Sequence, residues 1–176
     1  MLISQTKEQI QALSAIQAHC EIEGITLLSC DVKRAKAGST RFKEPYSVKP
    51  AVSNIATSRQ DGSLVVEVSF EYSAWDSSEP SERLFLVNCT FEVSYTLLHG
   101  YSPTPEQISS FGRGTAVFNC WPYAREFLRD ITSRIGHQTP TLPLLRIVPK
   151  NIDVTTPKTI DGTVVKGEIS ESDLDS

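Results

Sequence analysis

The chain has 176 residues, a formal net charge of −4, and 39% hydrophobic and 22% charged residues. That balance fits one soluble globular domain with a single core, and a mildly acidic chain of this kind gives no support to a nucleic-acid binder. No apolar run approaches the ~20 residues that span a bilayer, and "MLISQTKEQIQ" lacks the basic and apolar regions of a signal peptide. A cytoplasmic protein without stable membrane insertion is therefore expected.

In chain order, the first expected element is a helix over 6–19. Thr6 and Gln9 have capping-box spacing, which satisfies two otherwise unpaired backbone donors, and Ile10, Leu13, Ile16 and Cys20 recur every three or four residues. Four strands are expected over 20–98. In the first, Cys20, Ile22, Leu28, Cys30 and Val32 share one phase while Ile25 and Leu27 fall in the other, and Gly24 sits where a bulge could switch them. In the second, Tyr46, Val48, Pro50 and Val52 share a phase, and Pro50, which cannot donate to a ladder, puts that strand at an edge or breaks it.

"LVVEVSFEY" and "LFLVNCTFEVSYTLLHG" alternate apolar and polar residues, the pattern of an antiparallel sheet with one covered face. Helices are expected over 105–136. Thr104, Pro105 and Gln107 supply an N-cap, a first-turn proline and a second capping box, and Gly112 or Gly114 is expected to end that short helix. A longer helix follows in "FNCWPYAREFLRDITSRIG", with Ala124, Phe127, Leu128, Ile131 and Ile135 as its apolar stripe and Gly136 as its stop. By layer logic the fold class is α+β, a four-stranded antiparallel sheet with helices on one face and an extra N-terminal helix, in one domain over 1–150. The polar, acidic segment 151–176 is expected to be disordered.

Chemistry is sparse in this pattern. Cys20, Cys30, Cys89 and Cys120 form no CxxC pair and no zinc spacing, so buried free thiols are the expected state. His19, His99 and His137 lie far apart without HExxH, which predicts no metal site. The Cys/His pairs that can be drawn, Cys89 with His99 and Cys20 with His19, have no spacing that specifies catalysis, and "GRG" is too short to cradle a phosphate. The basic cluster Lys33, Arg34, Lys36, Arg41 and Lys43 has the look of a solvated loop. What remains is apolar surface: the alternating sheet face, the aromatics Phe118, Trp121 and Tyr123, and the leucines of "TLPLL".

"NCWPYAREFLRDITSRIG" followed by "TPTLPLLRI" resembles the SecB family of protein-export chaperones, in which an aromatic-Pro-Tyr-x-Arg-Glu helix precedes a short Leu/Pro-rich segment. The resemblance covers roughly Cys20 to Ile147. It implies an ATP-independent holdase, without catalytic residues, metal or cofactor, that keeps unfolded polypeptides in apolar grooves. The groove residues it implies are Tyr46, Val48, Pro50, Val52, Phe85, Leu142, Leu144 and Leu145, with Phe91 and Tyr95 as weaker candidates. It also implies a homotetramer, a dimer of dimers, whose interface includes Ile22, Ile25, Trp121, Arg125 and Leu128.

Exporting members meet the SecA motor ATPase through acidic positions on the open sheet face. Those positions are Ser29, Lys33 and Asn88 here, which weighs against the contact. The additional N-terminal helix is similar to SecB-like members that partner antitoxins in toxin-antitoxin systems. Export and protection of an antitoxin are thus both open, as is a non-catalytic oligomeric interaction or regulatory module without general client binding.

Overall fold

Period-two apolar patterning over four long segments forces one sheet with one dry face. In the computed structural model, which describes residues 1–34, 46–60, 62–76, 83–137 and 139–150, these segments are β2 (Cys20–Arg34), β3 (Tyr46–Gln60), β4 (Ser63–Asp76) and β5 (Arg83–Leu97). They follow β1 (Leu2–Gln5) and α1 (Lys7–Gln17), and precede α2 (Pro105–Phe111), a π-helical turn (Gly112–Ala116), α3 (Val117–Arg134) and β6 (Arg146–Pro149). Lys36, Arg41 and Lys43 of the basic loop and the tail 151–176 lie outside the described residues.

The sheet order is β2-β5-β4-β3 with every neighbour antiparallel, so β2 and β3 are the edges. Pro50 therefore sits on an edge strand, where its missing N–H leaves no ladder position in the sheet interior unpaired. Bulges set which residues face inward. In β2 the register shifts between Ile22 and Gly24 and again between Leu27 and Ser29. The first shift brings Ile25 and Leu27 opposite Val93 and Phe91, and the second restores Cys30 and Val32 opposite Cys89 and Val87. Ile22, Ile25, Leu27, Cys30 and Val32 of both apolar phases thereby share the inner face, and Leu28 falls in the second bulge, which no glycine marks in the sequence. A shift between Val52 and Asn54 does the same for Ile55 on β3.

The helical layer departs from expectation at one place. Gly112 caps α2 as expected but does not stop the helical path: it is right-handed helical (φ −58°, ψ −47°), and the chain runs through the π turn into α3. The glycines are there for clearance. A Cβ on Gly112 would stand 3.2 Å from Ile55 Cγ2, and one on Gly114 would stand 2.8 Å from Gln5 Nε2 and 2.9 Å from Leu13 Cδ2. Termination falls at Gly136, which takes the left-handed conformation at φ 80°. Both capping boxes form, Thr6 with Gln9 and Thr104 with Gln107.

The buried line on α3 is Val117, Cys120, Trp121, Ala124, Leu128 and Thr132, while Phe127, Ile131 and Ile135 are only half-buried. The helix is thus rotated from the expected stripe toward Trp121 and Thr132. A buried hydroxyl needs a partner, and Thr132 Oγ1 donates to the Leu128 carbonyl at 2.8 Å. Aromatic contacts fill the layer: Trp121 and Phe91 lie 5.8 and 6.3 Å from Phe70, and Phe111 lies 4.9 Å from Tyr95. Unlike the four long strands, β1 and β6 have no counterpart in the sequence reading; they form a separate parallel ribbon from Leu2↔Arg146 to Gln5↔Pro149.

Candidate functional site

A helix with its side chains is about 10–12 Å across, whereas four strands about 4.8 Å apart present a wider face. One helical rod can seal the centre of this sheet but not both edges. The structure follows that geometry. From Leu64 to Ala74 on β4 and from Phe85 to Leu97 on β5, every alternate, inward residue is at most 5% exposed. Their neighbours on β3, Tyr46, Val48, Pro50 and Val52, paired with Asp76, Ala74, Tyr72 and Phe70, remain half-buried.

The crossover, 139–145, follows Gly136 at the end of α3, and His137 just before it lies against Tyr46 of that edge. Its leucines alternate: Leu142 and Leu145 point into the core, while Leu144 is 67% exposed. The Met1 ammonium donates to its Leu144 carbonyl at 3.1 Å, and two further devices hold it. Trp121 Nε1 donates to the Pro143 carbonyl at 3.2 Å, and β6 pairs with β1 immediately after it. At the other end, the buried His137 ring lies 5.0 Å from Phe85 and 6.0 Å from Tyr46, and its backbone N–H donates to the Thr132 carbonyl at 2.9 Å. Burial, with a smaller contribution from the Arg34 cation, holds the His137 imidazole below its ordinary pKa. His137 thus joins the start of the crossover to the Tyr46 end of β3.

The expected groove residues divide accordingly. Tyr46, Val48, Pro50, Val52 and Leu144 reach the surface. Phe85, Leu142 and Leu145 are core in this chain, as are Phe91 and Tyr95; the Phe85, Phe91 and Tyr95 rings lie against His137, Phe127 and Phe111. Of the expected assembly residues, Ile22 is 51% exposed, and Ile25 and Arg125 are half-buried. Trp121 and Leu128 are buried within the single chain and present no surface to a partner; the aromatic ring expected at an interface instead anchors the crossover. That role had no signal in the sequence, because the acceptor is a backbone carbonyl 22 positions away.

No catalytic pair assembles from the cysteines and histidines considered. Cys89 is buried mid-strand, its thiol pushed up to about 12 by desolvation and by Cys30, and His99 follows the far end of the same strand. The His19 ring stacks on Tyr101 at 4.3 Å, with Nδ1 donating to the Ala15 carbonyl at 2.8 Å. Among the described residues no group of His, Cys, Asp or Glu could hold a metal ion, and no helix is long and apolar enough to cross a membrane.

A four-stranded antiparallel sheet with helices on one face is the SecB-like fold. The structure of the Mycobacterium tuberculosis SecB-like chaperone Rv1957, in complex with a ChAD peptide from the HigA1 antitoxin, matches with a TM-score of 0.68 at 19% identity. The match covers 79% of this chain and 99% of that one. A Streptococcus agalactiae protein of unknown function matches at a TM-score of 0.41 and 8% identity, over 71% of this chain and 97% of that one. No protein-family model and no curated protein matches the chain.

Proposed function

We propose that this protein is an ATP-independent, non-catalytic holdase, working in the cytoplasm, that binds non-native polypeptide along β3 and the crossover. One observation carries the reading: the apolar inner face of the sheet is sealed over β4 and β5 but left half-covered along β3, and Leu144 of the crossover is exposed as well. An unfolded client offers both apolar side chains and unpaired backbone, and a groove beside a sheet edge meets both with little sequence demand. The ordering entropy of the client keeps affinity per contact modest, which permits release. The SecB-like fold, and the antitoxin peptide held by the mycobacterial structure, support the same reading.

Between the two cellular roles, an antitoxin or similarly dedicated client is favoured over export delivery. Ser29 and Asn88 sit on the outer sheet face, opposite Thr90 and Asp31, and Lys33 adds a cation there, paired with Asp31 at 3.3 Å. An acidic docking surface for SecA is thereby diluted at the positions where the resemblance sets it.

The decisive experiment measures how Leu144→Asp and Val48→Asp variants bind an unfolded fluorescent client and suppress its aggregation. The holdase reading expects loss of both with unchanged thermal stability and oligomer size. Wild-type protein that neither binds unfolded chains nor delays aggregation sinks it. The second reading, an interaction module that uses its apolar surface only to self-assemble, is favoured by the exposure of Ile22, Leu27 and Leu28 on the other edge and of Phe118 and Tyr123 on α3. It expects the two aspartate variants to behave like wild type in every assay.

A further inference from the structure

The inner face of the β2 edge carries a pair of thiols that client binding does not use. Cys30 on β2 stands directly opposite Cys89 on β5. Opposed residues of an antiparallel pair share a sheet face, with Cα atoms about 4.5–5.5 Å apart. That separation lies inside the range of about 4.4–6.8 Å found in disulfides. Both thiols are free; Cys30 is exposed, with nothing over it among the described residues, while Cys89 is only 2% exposed. One partner is therefore open to a reagent, and the other waits beneath it in bonding register.

We propose that Cys30 and Cys89 are a reversible oxidation site, converted by a low-molecular-weight disulfide of the glutathione type into a cross-strand disulfide that ties β2 to the sheet. The Cys30 thiolate attacks one sulfur of glutathione disulfide, forming a mixed disulfide and releasing one glutathione thiolate, which takes up a proton. Cys89 then gives up its proton and attacks Cys30 Sγ, and the second glutathione leaves as its thiolate. Two protein thiols are oxidised and one glutathione disulfide is reduced to two thiols, so no further reagent is required.

The environment orders the steps. Desolvation, with a smaller push from Cys30, raises the Cys89 thiol to about 12, so the first attack belongs to Cys30 and closure is the slow step. Cys120 is the neighbour that could compete. It is fully buried on α3, with its thiol also pushed up to about 12 by burial and by Cys89, and it has no place in the strand register. The bond would fasten the strand that carries two bulges, the part of the sheet ladder most interrupted by unpaired positions.

The test incubates the full chain with oxidised glutathione, blocks the remaining thiols by alkylation, and reads intact mass and non-reduced peptide maps. The expected product has lost two hydrogens, links the Cys30 and Cys89 peptides within one chain, and reverts with dithiothreitol. Closure should speed up about tenfold per pH unit while Cys89 remains mostly protonated. The link should vanish in Cys30→Ser, an exposed position that tests the site even if Cys89→Ala folds poorly, and persist in Cys120→Ala. A glutathione adduct that never closes, a Cys89–Cys120 link, a Cys30–Cys30 link between copies, or no reaction overturns the proposal. Each of these outcomes leaves the client-binding reading standing, because Cys30 lies on the edge opposite β3.

Discussion

Trp121 concentrates the residue-scale argument. Its ring is 3% exposed and packs on Phe70, and its indole N–H holds the Pro143 carbonyl. Trp121→Ala should cost about 3–5 kcal/mol, the range for deleting a large buried aromatic. Trp121→Phe, which keeps most of the apolar ring but not the donor, should lose about 0.5–1.5 kcal/mol. Urea unfolding of the two variants checks both figures, and an alanine variant as stable as wild type would remove Trp121 from the core. Its neighbour Pro122 is exposed inside the helix and offers no N–H to the Phe118 carbonyl. The sequence showed "FNCWPY" as an aromatic cluster on a helix, but which aromatic turned inward depended on the rotation of α3. With several large residues on all sides, apolar periodicity leaves that rotation poorly fixed; Phe118 and Tyr123 stayed out.

At the scale of elements, the join between α2 and α3 and the crossover are the sensitive parts. An alanine replacing glycine in an exposed helix usually stabilises by about 1 kcal/mol. Gly114→Ala should instead destabilise by about 1–3 kcal/mol, the usual cost of overpacking, because its Cβ would meet Gln5 and Leu13. Thermal or urea denaturation decides the sign.

The crossover adds a pH dependence. His137 titrates below its ordinary 6.5 because burial, and secondarily Arg34, disfavour its cation. The unfolded chain takes up this proton near 6.5, while the folded chain holds out to lower pH. The contribution of His137 to stability is therefore whole above about 6.5, falls as pH drops, and stops falling below the folded pKa. Thermal midpoints measured from about pH 7.5 to 5 should decline more steeply for wild type than for His137→Phe. Equal slopes would show that the ring does not stay neutral in the folded chain.

The whole molecule is organised by a mismatch of widths: the helices seal the middle of the four-stranded sheet, and among the described residues both edges keep apolar side chains that are not fully covered. Along β3 that surplus forms the proposed groove. Along β2 it leaves Ile22, Leu27 and Leu28 exposed on an unpaired edge, which in a single chain is an invitation to pair. Assembly through β2 predicts that sedimentation finds the wild type as a dimer or a multiple of it and Ile22→Asp as a smaller species with its fold intact by circular dichroism. A wild-type protein that sediments as a monomer would defeat this view of the edge.

By itself the sequence determined the four strands, both capping boxes, the one-sided sheet and, for Pro50, the choice between an edge and a break. Each of these is a local or periodic property, carried by residues within a few positions of one another. Only the tertiary structure decided the second bulge of β2, the continuity of α2 into α3 through two glycines, the pairing of β1 with β6, and which leucine of "TLPLL" faces solvent. These depend on partners far along the chain, Gln5 against Gly114 or Trp121 against Pro143. Four-residue strands such as "LISQ" and "RIVP" are too short to declare themselves without the neighbour that pairs with them.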